Sequence, residues 1–216
     1  MRILYVSLII VLTDQISKMI VKGISFPALG LNLKGLPLGS SRQIFGDFLR
    51  LTYIENPGMA FGIDIGGKLF FSLFSILASL GILMYLYKSR NENVAFRVSL
   101  ALILGGAVGN LIDRVFYGIL FDEGPLFYGK VVDFIDADFI NVNIFGYHMS
   151  RWPVFNIADA SVTIGVLLML FVHRKSMKEE SLLTSNSAIV GNPEVATSVV
   201  SADPSSTTSS SEPSQS

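Results

Sequence analysis

Two aspartates stand in sequence that otherwise avoids charge. Asp133 lies between apolar pairs in Val131-Val132-Asp133-Phe134-Ile135, and Asp159 follows Asn156 in the run Arg151 to Val172, RWPVFNIADASVTIGVLLMLFV. A carboxylate inside a membrane span costs on the order of 2.5–3.5 kcal/mol to insert, so it is tolerated when it faces protein or a wet cavity and has partners. Two carboxylates held close cannot both ionise cheaply; they share a proton and titrate as a pair. One can then act as general base on water while the other, protonated, polarises a carbonyl. The chain has no cysteine, and these residues supply no Ser-His set. If a peptide bond is hydrolysed here, an aspartyl mechanism is the natural one. The two histidines, His148 and His173, show no ligand spacing, so neither a metal nor another cofactor is expected.

The other polar interruptions read as partners for these acids. Asp14 and Lys18 are four apart on one helix face, with the acid N-terminal, the better order. They form either an interfacial ion pair at the helix end or a support for the site. Gly105 and Gly109 permit close helix approach. Gly106, Asn110, Asp113 and Arg114 fall at i, i+4, i+7 and i+8, which puts a small residue and three polar ones on one face. Asp113 and Arg114 could be solvated at a helix end, although Asn110 one turn earlier argues against it. Asn156 and Asp159 share a face three residues apart. With the helix starting at Trp152 and Pro153 in its first turn, Asp159 is expected roughly 10 Å below the helix start. Asp136 and Asp138 read as solvated loop acids. Asn56-Pro57-Gly58 is by itself a turn signal.

Composition sets the elements that must position these residues. Of 216 residues, 50% are hydrophobic and 15% charged, where a soluble domain carries about a quarter charged. The excess lies in four blocks: Ile3 to Val21, Leu69 to Tyr87, Val98 to Tyr117 and the run from Trp152. A four-span membrane α-helical protein is therefore expected. The first block follows Arg2 but lacks a small-x-small cleavage site, so it reads as a span rather than a leader. Ile44 to Ile54 suggests a short strand or two. Residues 1–178 form the membrane domain in this reading. Residues 179–216, rich in Ser, Thr and Pro, form a disordered cytoplasmic tail. The net charge of −1 and the lack of a basic patch give no reason to expect nucleic acid as a partner.

TDQISK at 13–18, ENPGMAFG at 55–62, GGAVGNLIDR at 105–114, VVDF at 131–134 and FNIAD at 155–159 resemble, in order, the boxes of the lipoprotein signal peptidases (signal peptidase II). The resemblance runs from about Ile3 to Val172. It implies four transmembrane helices with a small extracytoplasmic β-cradle in the bacterial cytoplasmic (inner) membrane. The implied activity is removal of signal peptides from diacylglyceryl-modified prolipoproteins, with lipidated substrates and membrane lipids as partners and a monomer as the expected state. By motif position, the catalytic aspartates fall on Asp133 and Asp159. Supporting residues fall on Asp14, Lys18, Asn56, Asn110, Asp113, Arg114, Asn156 and Ala158. The loop Asn56 to Gly62 is the candidate to close over the peptide. Met59, at a position usually small, departs from the pattern, as do long segments between Arg114 and Asp133 and between Asp138 and Trp152.

A small transporter or proton relay is the rival reading of intramembrane acids. It calls for polar groups across the bilayer or an internal repeat, and the second span is featureless. A scaffold would leave two inserted aspartates unexplained. Basic flanks at Arg2, Lys88/Arg90/Arg97 and Arg174/Lys175/Lys178 put both termini in the cytoplasm, although Lys34, Arg42 and Arg50 in the first long loop run against that bias. Cysteines placed at Gln43 and Tyr128 should then label from outside intact cells, and those at Asn91 and Ser187 only after permeabilisation. External labelling at Ser187 would overturn the four-span topology.

Overall fold

The computed structural model describes residues 2–27, 30–58, 67–138, 142–144, 147–149 and 151–190. The helices are α1 Leu4–Lys22, α2 Gly67–Lys88, α3 Val94–Leu120 and α4 Ile157–Val190. Each carries a stretch long and apolar enough to cross a membrane, which in α4 is Ile157–Arg174. In α1 the pattern of a soluble helix is inverted. Tyr5, Leu8, Ile9, Leu12, Ile16 and Ile20 are exposed, while Ser7, Asp14, Gln15, Lys18 and Val21 are buried. In water that outer face would be a large apolar patch; against lipid it is solvated and the polar stripe must find protein partners. The chain divides into two units, Met1–Val172 and His173–Ser216, and Asp133, Asp159 and the residues expected to support them all belong to the first.

Small residues let α3 approach both α1 and α4. A Cβ on Gly105 would lie 2.9 Å from the Cβ of Ile10, and one on Gly109 2.7 Å from Oδ2 of Asp14. On the α4 side, a Cβ on Gly106 would stand 2.3 Å from the carbonyl oxygen of Ala158. The hydroxyl of Ser7 reaches across to the carbonyl of Ala101 at 2.7 Å, and Ser161 reaches that of Leu102 at 3.2 Å. Leu86, Leu100, Ala101 and Leu104 close an apolar cluster between α2 and α3.

Among the described residues, seven short strands lie between the helices: β1 Gly23–Phe26, β2 Leu31–Lys34, β3 Ser41–Phe45, β4 Leu49–Asn56, β5 Val131–Ala137, β6 Val142–Ile144 and β7 Tyr147–Met149. β1 pairs with β2 and β6 with β7, while β3, β4 and β5 form one antiparallel sheet in that order. The reading of Ile44 to Ile54 as strand is therefore met by β3 and β4. Tyr53, Val132 and Phe134 from this sheet pack with Val21 of α1 and Tyr117 of α3, so sheet and helices share a core. After α3 the chain doubles back along the helix: Phe127 N–H bonds to Val115 O at 3.0 Å and Gly129 N–H to Arg114 O at 3.0 Å. A Cβ on Gly129 would lie 2.0 Å from the carbonyl of Asp113. That close return delivers β5 beside the polar turn of α3.

Three expectations are corrected. The fourth helix starts at Ile157, not Trp152, because Phe155 is spent on the sheet. Its N–H bonds to Ile135 O at 3.0 Å, and its carbonyl accepts from Ile135 N at 2.7 Å. Asp136 is not a solvated loop acid but a buried residue of β5, bonded by Arg151 Nε and Thr52 Oγ1, each at 2.7 Å; Arg151 and Thr52 outweigh burial and hold its carboxyl below the usual range. α4 continues to Val190, twelve residues into the stretch expected to lack structure; Lys178, Glu179, Glu180, Leu182 and Leu183 are good helix formers. The rest of that tail, 191–216, lies outside the described residues, as do Met59 and residues 139–141, 145, 146 and 150 of the insertion before Trp152.

Replacing Gly106 by Val sets a side chain against backbone that has no room to retreat. Overpacking of this kind costs about 1–3 kcal/mol, so Gly106→Val should lower the thermal unfolding temperature in detergent. An unchanged transition would show that α3 and α4 stand further apart.

Candidate active site

The first turn of α4 is tied by a reciprocal pair of hydrogen bonds. Asp159 N–H donates to Asn156 Oδ1 at 2.9 Å, and Asn156 N–H donates to Asp159 Oδ2 at 3.2 Å. This is a capping box with an aspartate in place of the usual Glu or Gln, satisfying two otherwise orphan donors at the helix start. The acid also gains from the positive end of the helix dipole. Asp159 therefore sits in the first turn, not two turns down, because the helix begins five residues later than expected.

The amide nitrogen of the same Asn156 points the other way. Its Nδ2 donates to Asp133 Oδ1 at 2.6 Å and lies 3.1 Å from Asn110 Oδ1. Asn156 is fully buried, and this one residue thus links the two carboxylates, Asp133 through its side-chain amide and Asp159 through its backbone N–H. Asn110 completes the ring by donating from Nδ2 to Asp159 Oδ1 at 2.7 Å. Asp133 is presented by β5, where it pairs in register with Ile54 of β4. Asn56, at the end of β4, hydrogen-bonds to Asp133 as well, while its Oδ1 accepts from Gly58 N–H at 2.9 Å. Burial, and next the negative charge of Asp159, push the Asp133 carboxyl up to about 7, against the pull of the Asn156 donor.

Beneath this pair lies a buried ionic cluster. Lys18, Asp14 and Asp113 have no exposed surface, and Lys18 Nζ stands 2.7 Å from a carboxylate oxygen of each. Its third contact is Asn110 Oδ1 at 2.9 Å, which links the cluster to the carboxylate pair. The remaining acceptors are used by backbone. Asp14 Oδ1 takes Ala158 N–H at 2.9 Å, a further amide at the start of α4, and Asp113 Oδ2 takes Val132 N–H at 3.2 Å. Gln15 fills in between, donating to Asp113 Oδ1 at 2.8 Å and to Gly109 O at 3.1 Å, and accepting from Tyr117 OH at 3.1 Å. Arg114 reaches Asn110 O through Nη1 at 3.2 Å.

Asp14, Lys18, Asn56, Asn110, Asp113, Arg114, Asn156 and Ala158 thus surround Asp133 and Asp159, with Gly106 giving α4 its close seat. The interfacial alternative for Asp14 and Lys18 fails, as does the solvated alternative for Asp113. Gln15 and Tyr117 were missed, although Gln15 lies inside TDQISK and three residues before Lys18, the spacing of one helix face. Missed too was a second cluster: Glu55 holds Lys22 and Lys130 and accepts from Tyr53 OH at 2.7 Å. Burial opposes its ionisation, but those three partners prevail and bring the carboxyl down to about 2. Of the loop Asn56 to Gly62, residues 59–62 lie outside the described residues.

Among the described residues, four helices long and apolar enough to span a membrane, with two aspartates linked through Asn156 and Asn110 where a strand meets a helix N-terminus, define a polytopic membrane protein with a paired-aspartate site. Residues 6–174 match the family described as Signal peptidase (SPase) II, and the chain belongs to that family of bacterial membrane proteases. Similar proteins include the lipoprotein signal peptidase of Pelodictyon phaeoclathratiforme, 40% identical over 65% of this chain and 77% of the relative. That of Chlorobaculum parvum is 41% identical over 66% and 81%. The Porphyromonas gingivalis protein is 34% identical over 65% and 73%. A bacterial membrane enzyme solved by the in meso method at 1.9 Å resolution superposes with a TM-score of 0.59 at 32% identity, covering 79% of this chain and 91% of that one.

Removing the central cation tests the cluster. Lys18→Met leaves two buried carboxylates facing each other, and breaking such a pair costs about 3–5 kcal/mol. The unfolding temperature in detergent should fall steeply, and adding Asp113→Asn should recover part of it. A Lys18→Met protein as stable as the parent would mean that the cluster is hydrated.

Proposed function

We propose that the chain is an intramembrane aspartyl endopeptidase that removes signal peptides from diacylglyceryl-modified prolipoproteins, with Asp133 and Asp159 as its catalytic pair. The observation that carries the assignment is the Asn156 bridge, which binds one carboxylate with its amide nitrogen and caps the helix start bearing the other with its oxygen. Asp133, held near 7, is the member that keeps a proton at neutral pH. Asp159 then takes a proton from water as the oxygen attacks the scissile carbonyl, and Asp133 gives its own to the carbonyl oxygen. As the tetrahedral diol collapses, one hydroxyl returns its proton to the pair while its oxygen re-forms the carbonyl, the C–N bond breaks, and the departing nitrogen takes a proton from the pair, which ends singly protonated as it began.

The remaining residues position. Asn110 and Asn156 hold the carboxylates, while Lys18 holds Asn110, Asp14 the start of α4 and Asp113 the Val132 amide of β5. Arg114, alongside, adds a positive charge beside both acids. The carboxylates sit at the end of α4 where the chain leaves the sheet, and basic flanks favour the extracytoplasmic face for that end. A substrate whose diacylglyceryl group stays in the bilayer reaches such a site laterally, as a single membrane-dissolved molecule meeting a monomeric enzyme.

The test is cleavage of a lipidated prolipoprotein by the purified protein. Asp133→Asn and Asp159→Asn each keep the shape but cannot pass a proton, so turnover should fall by at least about 10³, within the range of losses when a catalytic group is removed, with the helices intact by circular dichroism. Substantial activity in either variant would remove that residue from the mechanism. The rate should fall as pH rises through about 7, where Asp133 loses the proton it must give to the carbonyl oxygen. A rate that climbs through neutrality would exclude the scheme.

A further inference from the structure

The sheet carries an apolar surface that the protease chemistry does not use. β3 is an edge strand, and its register with β4 shifts between Gln43 and Phe45, so Ile44 is the extra residue of a bulge. Ile44 is 61% exposed and Phe45 73% exposed. An edge strand with large apolar side chains in water is an aggregation site, so these residues call for a partner.

Hydrogen bonds fix where that surface lies. The turn after β3 is tied by Arg151, whose Nη1 donates to Asp47 O at 3.0 Å while its Nε holds Asp136. The neighbouring Trp152 is 46% exposed, and its N–H bonds to Ala137 O at 3.2 Å. Ala137 in turn pairs with Leu49, directly after the β3–β4 turn. The exposed end of the sheet is therefore fastened to the segment that enters the membrane at Ile157, five residues after Trp152. On β3, Arg42 is exposed and makes no ion pair among the described residues. It is one of the basic residues that run against the charge bias of an outer loop.

We infer that this end of the sheet is an interfacial membrane anchor, with Ile44, Phe45 and Trp152 at the boundary of acyl chains and headgroups and Arg42 against anionic headgroups. The partner is lipid rather than a second protein because the patch is continuous with the helix entering the bilayer and because aromatic and basic groups together are what an interface takes. The depth is shallow because the outer edge of β3 has unpaired amides and carbonyls, which the hydrocarbon core would not tolerate. The exposed Asp47–Arg50 ion pair at the turn also belongs among headgroups.

Trp152 is the chain's one tryptophan, so the full-length protein in vesicles offers a reading without substitution, and Phe45→Trp in a Trp152→Phe background offers a second. In each case bromine in the upper acyl chain should remove roughly half the emission, since interfacial side chains bury about 5–10 Å deep, while aqueous iodide should quench little. Water-like emission at Phe45→Trp that is open to iodide would overturn the anchor, even with Trp152 quenched by lipid. So would shielding that disappears on diluting the protein with lipid, the mark of a second copy covering the patch. Adding phosphatidylglycerol to phosphatidylcholine vesicles should strengthen the quenching, and Arg42→Gln should abolish that increment. An increment that survives the substitution would refute the headgroup contact.

Discussion

A single lysine charge, sealed from solvent, is what the arrangement depends on. Lys18 brings Asp14 of its own helix and Asp113 of α3 to one nitrogen. Burying three charges carries a large desolvation cost, and a well-packed apolar trio would often be at least as stable. What the ionic version adds is direction. Asp14 keeps one oxygen for Ala158 N–H at the start of α4, and the Asp113 oxygen that meets Lys18 also accepts from Val132 N–H in β5. The two elements that carry the proposed catalytic acids are thus hung from the same cation, which fixes their separation more narrowly than side-chain packing would.

The next layer converts that position into chemistry. Asn110 and Asn156 are neutral, so they can donate to carboxylates without locking them in the ionised state as a cation would. Placing asparagines between Lys18 and the acids keeps the positive charge one residue away. Asp133 can then retain a proton near neutrality, which a direct Lys–Asp contact would not allow. Glu55 shows the contrast within the same sheet: with Lys22 and Lys130 in direct contact its carboxyl sits at about 2.

Much of this was legible in the chain itself. Asp133 and Asp159 declared themselves by standing in apolar sequence, and the four spans followed from composition. The polar stripe of α1 was visible as four-residue spacing. What the sequence hid were the places where backbone pairing overrides pattern. Trp152 to Phe155 is apolar and continuous with the helix, yet Phe155 gives its N–H and C=O to β5, so the helix starts late. Asp136 looks like Asp138 in sequence, and only the strand pairing that brings Thr52 and Arg151 to it makes it buried. Gln15 was hidden by chemistry: an amide is unremarkable until two acids and a tyrosine are found around it.

The capping box at Asn156 and Asp159 also ties the proposed catalytic pair to helix fraying. The first turn of a helix is ordinarily its loosest part, opening and closing far more often than the middle. Here an opening of that turn would release the Asp159 side chain from Asn156 N–H and free Asn156 from Asp133 in the same motion. Asn110 would still hold Asp159, so such an opening costs the pair its link through Asn156 while leaving this second contact in place. Binding a peptide across both acids would in turn hold the turn closed, and substrate would complete the folding of the helix it is cut by.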